Sequence, residues 1–340
     1  MNIAITGGGT GGHLSIAKAI KEELNSRGID PIFIGSSYGQ DEEWFSHERG
    51  FSKKCFFDTT AVVNKKIVAK IFSLGNILKY SFKCKSIFKK NEIDIVFSVG
   101  GYSAAPASFA SILYDKKLFI HEQNAIMGRL NKLLAPFASE VFSSYQDKSS
   151  LKYYPIRTIF FKNARVRESV KTVIFLGGSQ GATAINNYAM KVAKELTNRG
   201  IKIIHQSGKR DYQKLKDFYK SENIEVDLFD FSDHLEDKIK EADFAVSRAG
   251  ASTLWELSAS GVPALYIPYP YAAANHQYFN ARFLVDKKYS FVKDEKFLRE
   301  SDLFDALSSD ISAMSRGLKE ITDPNGAKEI VDKILSTIVS

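Results

Sequence analysis

An α/β fold in two domains, each carrying a parallel sheet, is what the sequence predicts, and three observations predict it. The chain has 340 residues, about twice the usual length of one domain. Short runs rich in Ile, Val and Phe alternate with longer segments of helical spacing, as βαβ units do. That alternation starts afresh near residue 173, behind a basic stretch without periodicity.

In the first half the strand-like runs are Ile3 to Thr6, Pro31 to Gly35, Asp94 to Val99, Leu118 to His121 and Val141 to Ser143. In the second half they are Val173 to Leu176, Lys202 to His205, Val226 to Phe231, Phe244 to Ser247 and Ala264 to Ile267. Between the two series Tyr153-Tyr154-Pro155-Ile156-Arg157 opens the aperiodic stretch, which sets domains at 1–157 and 158–324. Two Rossmann-like domains of this kind bind ligands beyond the C-terminal ends of their strands, with the parallel sheets expected to face each other across a cleft.

Composition narrows the partners. The formal charge of +8 and a pI near 9.1 call for an anionic partner, and nucleic acid, acidic lipid and phosphorylated substrates all qualify. The two cysteines, Cys55 and Cys84, form no ligand motif and no disulfide framework, which fits a reducing compartment. Met1 runs straight into Asn2-Ile3-Ala4-Ile5-Thr6, leaving no room for a leader, so export is not expected. No apolar run of about 18 residues is present, so any membrane role is expected to be peripheral.

Two glycine loops carry the chemistry. Gly7-Gly8-Gly9-Thr10-Gly11-Gly12-His13 follows the first strand and opens a helix, the context in which backbone amides approach a pyrophosphate. Gly177-Gly178-Ser179-Gln180-Gly181-Ala182 repeats that context in the second half. Each loop also reads as a tight turn with close helix packing. A dinucleotide site competes, but the second strand ends in Gly35-Ser36-Ser37 without the acid that holds an NAD ribose, so only an NADP-dependent reductase survives that objection.

Further segments follow in unbroken order: Gly100-Gly101-Tyr102 with Pro106, His121-Glu122-Gln123-Asn124, Ser247 to Glu256, Pro263, Pro268, and His276-Gln277-Tyr278-Phe279-Asn280-Ala281. From Gly7 to about Ala281 this order resembles the MurG family of N-acetylglucosaminyltransferases, which make lipid II. The resemblance implies a GT-B architecture, with an N-terminal acceptor domain, a C-terminal donor domain and a final helix, about 325–340, that returns to the first domain. It also implies transfer from UDP-N-acetylglucosamine to the 4-hydroxyl of the muramoyl sugar of lipid I, with inversion, no metal and no cofactor. The absence of any Asp-x-Asp agrees with the lack of a metal. Another UDP-sugar transferase acting on a glycolipid, and a nucleotide-sugar-binding module without activity, stand as the other readings.

The resemblance assigns roles by position. His13 and Glu122 become the candidates for activating or positioning the acceptor, because inverting transfer needs a base near the attacking hydroxyl and imidazole suits neutral pH, while His13 also reads as a helix-start residue that binds acceptor phosphate without proton transfer. Thr10, Gly11, Gly12, Tyr102 and Asn124 bind the acceptor. Glu256 accepts from both ribose hydroxyls, a role its two oxygens fit. Ser179, Gln180 and Arg157 lie by the donor phosphates, Arg248 in the donor motif, His276 and Gln277 by the sugar, and Phe231 and Ser232 by the uracil. Tyr153-Tyr154-Pro155 stands where the family commonly has Gly-Asn-Pro before the linker arginine.

The segment from Asn64 to Asn91 holds Lys65, Lys66, Lys70, Lys79, Lys83, Lys85, Lys89 and Lys90 and no acid. Ile67, Ile71, Leu74, Leu78 and Phe82 follow helical spacing, with Phe72, Ile77 and Phe88 alongside. The stripe reads either as an ordinary face packed on the first sheet or as a basic, apolar-edged contact with an anionic membrane. The second reading places the protein at the cytoplasmic face of the cell inner membrane, without a nucleic-acid partner.

Overall fold

The computed structural model describes residues 1–61, 67–178, 181–232 and 234–339. The chain forms two compact units, Met1–Arg157 with Asn325–Ser340, and Thr158–Pro324.

In the first unit the strands are β1 (Asn2–Thr6), β2 (Ile32–Ser36), β3 (Lys53–Phe57), β4 (Ile93–Ser98), β5 (Lys117–His121) and β6 (Glu140–Phe142). The helices among them are α1 (Gly11–Ser26), α2 (Asp41–Phe45), α3 (Ile67–Lys90), α4 (Ala105–Leu113) and α5 (Arg129–Leu134). The sheet order is β3-β2-β1-β4-β5-β6, and every pairing is parallel. Ile3, Ala4, Ile5, Ile95, Val96 and Phe97 are buried in the central strands, as expected for a sheet covered on both faces. The order reverses between β1 and β4, the switch point at which sheets of this kind bind ligands.

The second unit repeats this plan. It runs through α6 (Thr158–Lys162), β7 (Thr172–Leu176), α7 (Thr183–Asn198), β8 (Lys202–Gln206), α8 (Tyr212–Ser221), β9 (Val226–Phe229), α9 (Leu235–Glu241), β10 (Phe244–Ser247), α10 (Ala251–Ala259), β11 (Ala264–Tyr266), α11 (His276–Asp286), β12 (Phe291–Val292), α12 (Glu300–Leu307) and α13 (Ile311–Glu320). Its order, β12-β11-β10-β7-β8-β9, is the same winding, with the reversal between β7 and β10. Arg167 is fully buried beneath it. Its guanidinium donates to the carbonyls of Ile239, Lys240 and Ala242 at the end of α9 and of Ser260 after α10. It thereby gives two helix C-termini a cation.

The last helix, α14 (Gly326–Val339), belongs to the first unit and packs on α1. Ile330, Val331 and Ile334 are buried there, and Asp332 pairs with Arg27 at 2.6 Å.

Two strands went unread in the sequence. β3 is an edge strand whose Lys53-Lys54 opening masks the pattern, and β12 has only two residues. The strand expected to reach Phe231 stops at Phe229, leaving Phe231 in the following loop.

Helix α3 is apolar on two sides. Ser73, Ile77, Tyr80, Ser81, Cys84, Ile87 and Phe88 recur at helical spacing and are buried. Ile71, Phe72, Leu74, Leu78 and Phe82, on the other side, are 54 to 72% exposed. The expected stripe therefore faces outward, while Ile77 and Phe88, expected to extend it, belong to the core. Asn64, Lys65 and Lys66 lie outside the described residues, as does the side chain of Ile67.

Candidate active site

At the first switch point the loops after β1 and β4 lie backbone against backbone. Gly8 donates to Gly100 O at 3.1 Å, and a side chain on Gly101, which has φ +79°, would collide with Gly8 O. Close approach is one reason for glycine here. Asp41, at the start of α2, is wholly buried below the loop and accepts from the amides of Gly9 and of Ser36. Burial pushes its carboxyl above the ordinary value, against those hydrogen bonds. Gly11 donates to Gln40 Oε1 at 2.8 Å. Tyr102 lies against Gly9 and donates its hydroxyl to Tyr38 O at 2.8 Å.

His13, in the first turn of α1, is half-buried. Its Nδ1 is 3.0 Å from Thr10 Oγ1 and its Nε2 is 2.9 Å from Gln123 Nε2. His121, at the end of β5, is fully buried, and burial together with His13 pushes it down to about 3, so it stays neutral.

Glu122 follows β5 and is 2% exposed. One carboxylate oxygen accepts from the Asn124 amide at 2.9 Å and the other from Gly128 N and Asn131 Nδ2, both at 2.9 Å. Burial pushes its carboxyl up while these donors oppose the shift. With both oxygens occupied, Glu122 has the geometry of a brace for the loop from Asn124 to Asn131. Asn124, which also approaches Glu122 through its own amide group, is part of that brace.

At the second switch point the loop after β7 turns through Gly178 and Gly181, whose amide donates to Gly178 O at 2.9 Å. Ser179 and Gln180 lie outside the described residues. A neutral strut supports the start of α7. Asn186 Nδ2 donates to Ser207 O and Asp211 Oδ2, both at 2.9 Å. Its Oδ1 is therefore an acceptor and takes the Nε2 proton of buried His205 at 3.0 Å. The other ring nitrogen then accepts from Tyr219 at 2.9 Å. Burial pushes His205 down to about 3, so the strut carries no charge on the ring. Exposed Arg210, absent from the expectations, pairs with Asp211 at 3.4 Å and donates to Thr183 Oγ1, bringing a cation to the start of α7.

Glu256 lies in α10, which starts beyond β10, and is 9% exposed. Arg248 donates to Ile267 O and Pro268 O, pairs with Glu295 at 2.8 Å and stacks over Tyr269, so it braces the loop after β11. In that loop Gln277 Oε1 accepts the Tyr269 amide at 2.9 Å, and His276 Nδ1 donates to Ala273 O at 2.8 Å. Phe231 is 39% exposed after β9, and Ser232 Oγ accepts from His234 N. Arg157 donates from Nε to Glu22 of α1 at 3.1 Å within the first unit.

Asp41, Gln123, Asn131 and Arg210 escaped sequence reading. Gln123 stands inside a recognised motif, and the other three lie outside every motif singled out.

The glycosyltransferase family 28 N-terminal domain matches residues 3–143, and the family's C-terminal domain matches 172–334. The chain is 52% identical over 334 residues to the UDP-N-acetylglucosamine--N-acetylmuramyl-(pentapeptide) pyrophosphoryl-undecaprenol N-acetylglucosamine transferase of Campylobacter fetus subsp. fetus, covering 98% of this chain and 99% of the relative. It is 50% identical to the transferase of the same name from Nitratiruptor sp., covering 99% of each. Among solved structures, Acinetobacter baumannii MurG superposes with a TM-score of 0.78 at 24% identity, covering 98% of this chain and 99% of that one. The UDP-GlcNAc 2-epimerase of Neisseria meningitidis superposes at 0.67 with 11% identity, covering 99% and 100%. Two parallel sheets of one winding, each with a glycine loop at its switch point, make up the GT-B architecture, and the chain belongs to glycosyltransferase family 28.

Proposed function

We propose that the protein transfers N-acetylglucosamine from UDP-N-acetylglucosamine to the muramoyl 4-hydroxyl of N-acetylmuramyl-(pentapeptide) pyrophosphoryl-undecaprenol, inverting the anomeric carbon and giving lipid II. The observation that carries this reading is identity of about one half, over nearly the whole length, to transferases of that name.

The first unit takes the acceptor and the second the donor. His13 serves as the base, with Thr10, Gly11, Gly12, Tyr102 and Asn124 about the acceptor and Glu122 bracing the loop of Asn124. Glu256 holds the ribose diol, Phe231 and Ser232 meet the uracil, and His276 and Gln277 meet the sugar. Gln277 has its carbonyl taken by Tyr269 N, which leaves its amide hydrogens to serve sugar hydroxyls. Charge builds on the departing diphosphate. The loop of Ser179 and Gln180, the amides that begin α7, Arg157 and Arg210 stabilise it, the kind of preorganised donor set usually worth several kcal/mol. Arg248 serves the donor indirectly, by holding the loop of Gln277.

The acceptor is lipid-linked, so the enzyme works at a bilayer. No described helix is long and apolar enough to cross a membrane. The outward row Ile71, Phe72, Leu74, Leu78 and Phe82, flanked by exposed Lys79, Lys83 and Lys85, suits contact with an anionic cytoplasmic leaflet.

Release of UDP on mixing the protein with UDP-N-acetylglucosamine and a lipid I analogue tests the reading, and the rate is expected to be unchanged by exhaustive chelation. No release in the presence of both substrates would overturn the assignment. Loss with EDTA and rescue by magnesium would overturn its metal-free form.

A further inference from the structure

Gln123 is 6% exposed, and its side chain has an unequal pair of ends. Nε2 lies 2.9 Å from His13 Nε2, whereas Oε1 is buried with no hydrogen-bond partner among the described residues. A buried amide oxygen left without a partner is costly. Turning the amide end over would bring Oε1 to the ring at the cost of no other hydrogen bond. Two arrangements therefore satisfy the pair equally. In one, Gln123 donates to an unprotonated Nε2; in the other, it accepts a proton that Nε2 carries. On the opposite side of the ring Nδ1 meets the hydroxyl of Thr10 at 3.0 Å, and Thr10 is exposed.

We propose that Gln123 is a positioning residue for His13. It caps Nε2, its carbonyl accepting from Nε2–H in the reactive tautomer and still accepting once the imidazole is charged, and so confines proton exchange to Nδ1 and the Thr10 hydroxyl. This rests on the reading of His13 as the base. With Oε1 toward the ring, Nε2 keeps its proton throughout. The acceptor O–H bond breaks toward Thr10 Oγ1 as the Thr10 proton passes to Nδ1. The electron pair freed on the acceptor oxygen forms the bond to the anomeric carbon, and the bond from that carbon to the diphosphate oxygen breaks with its pair leaving on UDP. The imidazolium that results donates to Thr10 on one side and to Gln123 on the other. Thr10 is thus the group that touches the substrate.

The neighbouring ionisable groups leave this arrangement intact. His121 on β5 is neutral. Glu122 has both oxygens committed to Asn124, Gly128 and Asn131, and Asp41 accepts from Gly9 and Ser36. Tyr102 gives its proton to Tyr38 O. Gln123 is the side chain these contacts leave to answer a change of charge on His13.

Turnover of the full-length protein should separate this role from a structural one. Gln123→Leu is expected to lower kcat by about 30-fold, less than the roughly 100- to 10,000-fold that positioned proton transfer contributes because the base itself remains, with the donor KM within about twofold of wild type. Gln123→Glu places a carboxylate on Nε2 and holds the ring protonated to higher pH. The acid limb of its kcat/KM profile is expected to move up by about one pH unit, with activity recovering on the alkaline side. In a His13→Asn background, Gln123→Leu should cost nothing further. An unmoved acid limb in Gln123→Glu, or a full additive loss in the double variant, would overturn the proposal. UDP binding by calorimetry confirms that each variant is folded. The base assignment fails separately: His13→Asn would then turn over at the wild-type rate, whatever Gln123 does.

Discussion

The two units wind their strands in the same order and put a glycine loop at the same switch point, yet the two loops are backed differently. Behind the first lies the buried acid Asp41, whose oxygens take the Gly9 and Ser36 amides, while a second buried acid, Glu122, braces the loop after β5. Behind the second lies a neutral His205–Asn186 strut, with Arg210 at its edge. A diphosphate suits the second setting, because the carboxylate there, Asp211, is already paired with Arg210 and hydrogen-bonded to Asn186 and Thr183, and a helix N-terminus favours an anion. The first setting suits an uncharged hydroxyl that must lose a proton. Topology decides where each site lies, and the residues beneath the loop decide what it takes. The units also differ away from the switch points, since the first alone carries the outward apolar row of α3.

The largest expected effect tests that outer difference. Reversing Lys79, Lys83 and Lys85 to Glu removes roughly 1 kcal/mol of attraction per lysine near an anionic surface and adds repulsion. Binding to anionic liposomes should fall by more than about 100-fold, and wild-type binding should weaken with salt over a Debye length of about 8 Å. Activity on a soluble acceptor analogue should stay near normal. Undiminished liposome binding by the triple variant would move the membrane contact off α3.

Next in size is the division of substrates between the units. Glu256→Ala should raise the donor KM by about tenfold to a hundredfold, since a charge-assisted hydrogen bond is worth about 1.5 to 3 kcal/mol. The acceptor KM should hardly change. Steady-state kinetics with each substrate varied in turn would show it, and an unchanged donor KM would remove Glu256 from the ribose.

The difference between the loops was only half legible in the sequence. Strand-turn-helix order and the glycine spacing are local, so both parallel sheets and the glycine loops at their strand ends could be read directly. What backs each loop could not. Asp41 meets Gly9 across 32 residues, and nothing near Asp41 marks it as buried. Motif position marked Glu122 for activating or positioning the acceptor, but it carries no count of hydrogen-bond partners, so the bracing by Asn124, Gly128 and Asn131 was not legible. Helix α3 was ambiguous for another reason: a helix apolar on two sides has no single face for spacing to point to, and Ile77 and Phe88 went to the core while Phe72 faced out.

The smallest effect concerns Glu122 itself and decides whether it is a brace. In Glu122→Gln an amide nitrogen replaces an oxygen that now accepts from Gly128 and Asn131 or from Asn124. At neutral pH this should cost about 1 to 2 kcal/mol of stability, the value of a hydrogen bond or so lost to a buried charge. The cost should depend on pH in a definite direction. Burial raises the carboxyl of Glu122 above its ordinary value of 4.5, so on acidification the folded chain binds a proton before the unfolded chain does. Wild type therefore gains stability relative to the non-titrating variant as pH falls from neutrality through the folded-state value, and the gain is complete below 4.5. Urea unfolding of both proteins at pH 7 and at acid pH reads this as a gap that widens toward acid. A gap that narrows instead would mean that the Asn124, Gly128 and Asn131 donors outweigh burial and hold Glu122 below its ordinary value. The carboxylate would then be an ordinary satisfied anion that still braces the loop after β5.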